Sequence, residues 1–266
     1  MSDRELVVLK FGSSVLRSES HLPVVAEEIK RHVDRGLAVV AVVSAIGNST
    51  ESLIEQARAL GHDAGVGPTG RAPGKAAAVD SALAALLGTG EAAAAALVGL
   101  ALDRIGVTFT VLDAGRVGPF TRGPQLDAEP CAFDSGNVKR ALADRPVAIL
   151  PGFVGRDENG NFSLLGRGGS DLTALFVAHS LKATRCRLLK DVDGIYDADP
   201  SRSAAKPRRY AALDWDEALR LDAGVLQRKA VLFAHRHRIP FEVGACGGGR
   251  GSLVGNQGSV ESRLAS

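Results

Sequence analysis

Short continuous apolar runs alternate along this chain with stretches whose apolar residues recur every three or four positions. Residues 6–10 (LVVLK) form a brief apolar run and 37–43 (LAVVAVV) a longer one. A strand buried on both faces reads this way, because neither face needs polar residues. Between the two runs, Val24, Val25, Ile29 and Val33 recur at helical spacing with charges between them. That rhythm predicts an amphipathic helix over 22–35, ended by Gly36. Strand, helix, strand at this separation implies a parallel pair. The same reasoning predicts helices over 50–60, 76–87, 91–105, 170–182, 215–221 and 225–235. It predicts strands over 107–112, 147–150, 186–190 and 241–245. Gly88, Thr89 and Gly90 are expected to separate two of these helices. Residues 62–75 are expected to be an exposed loop, 113–129 irregular, and 157–160 (DENG) a hairpin turn. The stretch from Gly247 onward reads as a loop, a short edge strand and a frayed tail.

Composition narrows the class without naming it. A chain of 266 residues suits one large α/β domain or two lobes sharing a core. With 45% hydrophobic and 23% charged residues it resembles an ordinary soluble globule. Its 32 basic and 30 acidic residues leave a formal charge of +2, and 5% are aromatic. Neither a basic field nor a base-stacking surface therefore points to nucleic acid. Cys131, Cys186 and Cys246 lack metal or redox spacing and are expected to be buried free thiols in a reducing compartment. The acidic start has no signal or transit character, and the longest uncharged apolar stretch, 37–47, is too short to cross a bilayer. The expectation is a cytoplasmic protein.

Chemistry concentrates in a few segments. GRGGSD at 166–171 places three glycines, a guanidinium and a carboxylate where an apolar run enters a helix. Glycines admit close backbone approach, helix-start N–H groups favour anions, and Arg167 offers a fork for carboxylate or phosphate. Lys10, Phe11, Gly12, Ser13 and Ser14 follow the first strand directly. A lysine there can neutralise phosphate oxygens, although the spacing is not that of a P-loop; an ordinary turn with a solvated lysine is the alternative. Ser44 ends the second strand, where ligands of parallel sheets gather, but it could equally cap a helix. Glu91 is expected in the first turn of an apolar helix, comfortable beside the helix dipole without any ligand. The acidic loop 191–200 lacks EF-hand spacing and either frames a nucleotide or is a solvated turn. His179, His235 and His237 read as solvated or satisfied histidines rather than metal ligands. The glycines at 247–251 read as a flexible loop in preference to a phosphate site.

These segments, in this order, resemble the amino acid kinase superfamily, most closely the aspartate kinase catalytic domain. GRGGSD at 166–171 and DVDGIY at 191–196, followed by Asp199 and Pro200, carry the resemblance. Thr89, Gly90 and Glu91, Val43 to Ala45, and Ile239 with Pro240 add to it. The resemblance implies an α/β protein, a three-layer α/β/α sandwich around a mainly parallel sheet. Residues 1–165 would form the carboxylate-substrate lobe and 166–266 the nucleotide lobe. It implies Lys10 as the cation at the transferring phosphoryl group, Asp171 as its orienting partner, and Gly12, Ser13, Ser14, Gly168 and Gly169 as phosphate-loop donors. Arg167 would clamp the substrate α-carboxylate and Glu91 its α-amino group, with Ser44 and Ser170 beside them. Lys190, Asp191, Tyr196, Asp199 and Arg202 would face the nucleotide.

The departures are specific. KFGSSV at 10–15 is one residue shorter than the KFGGTSV usual in aspartate kinases. DAGVLQR at 222–228 replaces the family's GAKVLHP, so Gly224 stands where the nucleotide lysine is usual, and Lys190 stands where threonine or serine is usual. Lys190 is expected to compensate. No regulatory ACT domain is expected, and hence no feedback through one. The implied reaction is ATP-dependent phosphorylation of an amino-acid side-chain carboxylate, L-aspartate to 4-phospho-L-aspartate, with ATP and with magnesium carried on the nucleotide phosphates. A homo-oligomer binding no membrane and no nucleic acid is the implied assembly. Two readings stay open beside it: the same chemistry on glutamate or a small metabolite, and a non-catalytic nucleotide-binding paralogue.

Overall fold

The structure, a computed structural model, describes residues 4–62, 73–198, 207–221, 225–255 and 263–264. Its first half runs β1 (Leu6–Phe11), α1 (Leu22–Val33), β2 (Ala38–Val43), α2 (Ser49–Ala59), α3 (Pro73–Asp103) and β3 (Phe109–Val111). There follow α4 (Ala114–Val117), β4 (Phe120–Arg122), β5 (Glu129–Ala132), α5 (Ser135–Asp144), β6 (Val147–Pro151), β7 (Val154–Arg156) and β8 (Phe162–Leu164). The remainder comprises α6 (Gly169–Leu181), β9 (Arg185–Lys190), β10 (Tyr210–Leu213), α7 (Trp215–Arg220), α8 (Arg228–His237), β11 (Phe241–Ala245), β12 (Ser252–Val254) and β13 (Arg263–Leu264).

Nine strands form one sheet in the order β13-β10-β12-β11-β9-β1-β2-β6-β3. Its central pairs are parallel, with β1 between β2 and β9; only β11 with β12 and β10 with β13 run antiparallel. All six residues of β2 are buried, as its uninterrupted apolar run requires. Alternate residues of each strand feed two separate cores. Val7, Leu9 and Phe11 meet Ile29 of α1 and Ala94 and Val98 of α3 on one face. Val8, Val42 and Leu188 meet Leu172 and Leu175 of α6 and Ala234 of α8 on the other. Each fully buried Leu or Val contributes roughly 1.5–3 kcal/mol relative to exposure, so the two cores fix the layers. The result is the expected three-layer α/β/α arrangement.

Several expectations need correction. The helices expected over 76–87 and 91–105 are one helix, α3, running through Gly88, Thr89 and Gly90. Those glycines serve close packing rather than a break. A Cβ at Gly88 would lie 2.9 Å from Val154 Cγ2, and one at Gly90 would lie 3.1 Å from Ala45 Cβ. Thr89 stays helical by donating its hydroxyl to the Leu86 carbonyl at 2.6 Å. Joined, Ala77–Asp103 is long and apolar enough by length and composition to cross a membrane, contrary to the expectation that no stretch is. Part of its apolar surface, including Ala84, Leu87, Val98 and Leu102, is buried within the fold.

Residues 113–129, expected to be irregular, contain α4 and β4. With β5, β7 and β8, the latter strand completes a small second sheet in the order β5-β4-β7-β8. Its strands are three or four residues long, too short to show a period. The hairpin expected at 157–160 joins β7 to β8, with Gly160 at φ +80°. β10 was not predicted; of the strands described after Gly247, β12 lies between β10 and β11, and β13 forms the sheet edge. Of the three thiols only Cys186 is buried; Cys131 is exposed and Cys246 half-buried.

Candidate active site

The carboxyl ends of parallel strands place side chains on one rim of the sheet. Here β1, β2 and β9 end together, with Lys10 in register with Val42 on one side and Leu188 on the other. Lys10, Ser44 and Lys190 therefore arrive at the same rim. Against it sits the start of α6, which turns in on glycines. Gly166 and Gly168 take φ of +71° and +77°, a region costly for residues bearing a Cβ, and a Cβ at Gly168 would run into Gln227. The buried Thr173 hydroxyl accepts from the Phe153 N–H at 3.0 Å and donates to the Gly169 carbonyl at 2.9 Å, locking the turn to the end of β6.

The turn delivers Asp171 onto the rim. Asp171 is 2% exposed and Lys10 5%. Lys10 Nζ lies 2.6 Å from Asp171 Oδ1 in an ion pair, and Lys190 Nζ donates to Oδ2 at 2.7 Å. Lys10 folds back over Gly12, where a Cβ would stand 2.9 Å from the ammonium. Burial alone would raise the Asp171 pKa, but the charges of both lysines outweigh it and hold the carboxyl below its ordinary range. The solvated-lysine alternative for Lys10 is excluded by this geometry.

Around the pair opens a cavity of about 570 Å3. It is lined by Lys10, Ser13, Ser44, Glu91, Arg167, Gly168, Gly169, Ser170, Asp171 and Lys190, all singled out from the sequence. Arg167 is exposed. Glu91 lies in mid-helix and is 3% exposed, so the expectation of a first-turn glutamate is wrong. Burial pushes its carboxyl up to about 7, opposed by hydrogen bonding to the Ala45 backbone and by the Lys10 charge. Its Oε2 has no hydrogen-bond partner among the described residues. A buried acceptor facing a cavity without a donor is costly unless a ligand supplies one.

Other described residues singled out from the sequence do not line the cavity. Gly12 and Ser14 belong to the turn behind Lys10. Asp191 is exposed and pairs with Arg17 at 2.8 Å, while the Tyr196 hydroxyl donates to Asp193 at 2.7 Å. Asp199, Arg202 and Gly224 lie outside the described residues. Lys190, expected to compensate for the missing nucleotide lysine, shares Asp171 with Lys10. The histidines follow the modest expectation: His235 stacks on Trp215, with ring centroids 5.6 Å apart, and His237 lies beside Phe233 and His179.

Sequence reasoning missed part of the wall. Ile54, Leu87, Leu126, Phe153, Leu164 and Gln227 line the cavity, and Phe153 holds a left-handed φ of +70°. Lys229 was missed too. It donates to Asp127 Oδ1 at 2.7 Å and to the carbonyls of Ala128 and Leu165 at 3.0 Å each, pinning α8 to the strand end before the glycine turn. A lone lysine near the start of a helix gives no signal of this. Among the described residues no group of three or more His, Cys, Asp or Glu could hold a metal ion. A magnesium ion carried on nucleotide phosphates needs no such group.

A rim with two lysines on one carboxylate, glycine N–H groups and an unpartnered glutamate suits an anion beside an ammonium. Comparison with known proteins agrees. A family model described as the amino acid kinase family matches residues 5–244. The aspartokinase of Geobacillus stearothermophilus is 32% identical over 263 residues, 97% of this chain and 61% of that protein. Another relative, the aspartate kinase Ask_LysC of Stutzerimonas stutzeri, is 33% identical over 90% of this chain and 55% of its own length. This chain thus spans little more than half the length of the curated relatives it matches. Among solved structures, aspartate kinase from Synechocystis superposes with a TM-score of 0.75 at 30% identity, over 97% of this chain and 41% of that one. With the family model running from β1 into β11 and across both glycine-bearing turns, the chain belongs to the amino acid kinase family.

Proposed function

We propose that this protein transfers the γ-phosphoryl group of ATP to the side-chain carboxylate of L-aspartate, giving 4-phospho-L-aspartate and ADP. The observation that carries the reading is the buried Lys10–Asp171 pair opening on the same cavity as the unpartnered Glu91 oxygen. In this reading residues 1–165 form the amino-acid side and 166–266 the nucleotide side. Glu91 receives the substrate ammonium, Arg167 the α-carboxylate, and Ser44 and Ser170 hydrogen-bond beside them. Gly12, Ser13, Ser14, Gly168 and Gly169 offer donors to the phosphate chain. Lys190, Asp191 and Tyr196 stand on the nucleotide side.

A carboxylate oxygen of the substrate attacks the γ-phosphorus in line. The new P–O bond forms as the bond to the β,γ-bridging oxygen breaks, and ADP leaves with that electron pair. No proton has to move, because the nucleophile is already an anion. Catalysis then consists of aligning two anions and offsetting their repulsion. Lys10 supplies positive charge where the phosphoryl oxygens gather it, and Asp171 keeps the ammonium aimed. Bound magnesium would add charge neutralisation on the nucleotide phosphates. A cytoplasmic, oligomeric enzyme is part of the same proposal.

The test is an ADP-release assay over L-aspartate, L-glutamate and non-amino-acid carboxylates, with hydroxylamine trapping of the acyl phosphate. Saturable ADP release and a hydroxamate with L-aspartate are expected. Turnover only with an acceptor lacking both the α-amino and the α-carboxylate group would remove the roles given to Glu91 and Arg167.

A further inference from the structure

Asp171, a buried carboxylate, is shared by two lysines. Lys10 holds Oδ1 at 2.6 Å and Lys190 holds Oδ2 at 2.7 Å, and both lysines line the cavity. Their side chains are 6% and 12% exposed. One carboxylate neutralises one ammonium, so these three residues carry a surplus positive charge at a nearly buried point. A buried charge is costly unless it is paired, and a structural ion pair would need a single lysine. The two ammonium groups also repel each other, and Lys190 is among the charges that depress the Lys10 pKa, behind burial itself. An anion entering the cavity would neutralise the surplus and relieve that repulsion together.

We infer that Lys190 is a second catalytic cation, contacting the transferring phosphoryl group alongside Lys10 while Asp171 holds both ammonium groups in place. The inference rests on the kinase reading above. Charge on a transferring phosphoryl group is spread over three equatorial oxygens, so two fixed donors serve it better than one. Donors held in advance need not reorganise as the reaction proceeds, and this is where such groups gain their effect. The carboxylate between the lysines supplies that advance positioning.

The test uses the full chain and the variants Lys190→Met, Lys190→Gln and Lys190→Arg. Calorimetry measures binding of Mg-ADP and of the non-hydrolysable Mg-AMP-PNP, and ADP release is followed at saturating L-aspartate. Contact with the terminal phosphoryl group predicts that Lys190→Met weakens AMP-PNP roughly tenfold or more beyond any loss for ADP, as for one charge-assisted hydrogen bond. It also predicts that kcat falls on the order of 10²–10³-fold, with Lys190→Arg recovering part of both. Lys190→Gln, nearer in shape and still polar, supplies the same readings should the methionine variant fold poorly. Equal losses for ADP and AMP-PNP, or a near wild-type kcat, would overturn the inference and leave the kinase reading standing. Conversely, a wild type that releases no ADP with any acceptor, yet loses its AMP-PNP preference on substitution of Lys190, would sink the acceptor assignment and keep the phosphoryl contact.

Discussion

Glu28 of α1 and Asp171 of α6 are each 2% exposed, and each meets two Lys or Arg side chains, yet the surroundings of the two carboxylates differ in kind. Glu28 is closed on every side by the protein. Its Oε1 accepts from Arg187 at 3.1 Å, and its Oε2 accepts from Arg31 and from the Gly247 N–H at 2.8 Å. Arg187 in turn pairs with Glu242 at 3.0 Å, and Glu242 accepts from the Gly251 N–H at 2.9 Å. The glycine loop that reads from sequence as a flexible segment is thereby tied down at both ends, by N–H groups that are no longer available to a phosphate. Asp171 has the same charge pattern but its lysines border an open cavity, and the Glu91 oxygen beside them has no partner. A network completed within the chain stabilises the fold. One left incomplete at a cavity is arranged for a ligand.

Substitution at each centre should separate the two kinds. The largest effect is expected at the open one, where Lys10→Ala should lower kcat on the order of 10²–10³-fold or abolish turnover, with little change in ADP affinity by calorimetry. Near wild-type ADP release by Lys10→Ala would remove the open centre from the chemistry. At the closed centre the loss should fall on stability. Glu28→Ala removes the more buried of the two carboxylates that Arg187 meets and frees the Gly247 N–H, so urea denaturation should show a loss of up to about 3–5 kcal/mol. Turnover per folded molecule should hold, and a selective fall in kcat with unchanged stability would show that the closed network also serves catalysis.

Glu91 sharpens the comparison because it belongs to the open centre and its position there costs stability. Its carboxyl titrates at about 7 in the folded chain against an ordinary 4.5. Between those values the folded state binds more protons than the unfolded one, so stability falls as pH rises through this window and the full cost is present above 7. A tenfold change in proton affinity is about 1.4 kcal/mol, which puts that cost at roughly 3 kcal/mol. Glu91→Gln should therefore raise the ligand-free protein's stability at pH 8 by up to that amount and have much less effect near pH 5. The same variant should raise KM for the amino acid. In the wild type, kcat/KM should fall below about pH 7 as the carboxyl that receives an ammonium is protonated. A pH-independent stability difference between the two proteins would contradict the burial assigned to this group.

Which of these groups can be found in the sequence follows from how locally each is encoded. Lys10 and Asp171 sit in short motifs at strand and helix ends, where glycines clustered with charges point to a bound anion. Glu91 is legible as a residue of interest but not as a buried one. Gly88 and Gly90 look like a helix break until Val154 and Ala45 are seen packed against them, and those contacts join distant parts of the chain. The sheet itself is legible from its apolar runs, and the turn at 157–160 gives the β7–β8 hairpin away, whereas β10, β4 and β5 are lost because three or four residues carry no period. Lys190 stands out by its identity, but its partnership with Asp171 does not. Nothing in a linear sequence says that the ends of β9 and β1 aim at one carboxylate. Phe153 and Lys229 give no signal, since a wall and a pin depend on what they face.

A third carboxylate, Asp191, supplies the smallest effect and the control for the other two. It pairs with Arg17 at 2.8 Å, but the two side chains are 43% and 59% exposed. Arg17 also donates from Nε to the Ser14 carbonyl at 2.9 Å, so the pair bridges the turn after β1 to the loop after β9. Water screens both charges and resolvates them when they separate, so Arg17→Ala should cost under about 1 kcal/mol in urea denaturation. Any rise in KM for ATP should be a few-fold at low salt and should shrink as ionic strength approaches about 1 M, where screening acts within a few ångströms. Burial, more than the presence of opposite charges, is what sets Glu28 and Asp171 apart from this exposed pair. If the exposed pair proved as costly to break as Glu28, the distinction between closed, open and solvated carboxylates would lose its physical basis.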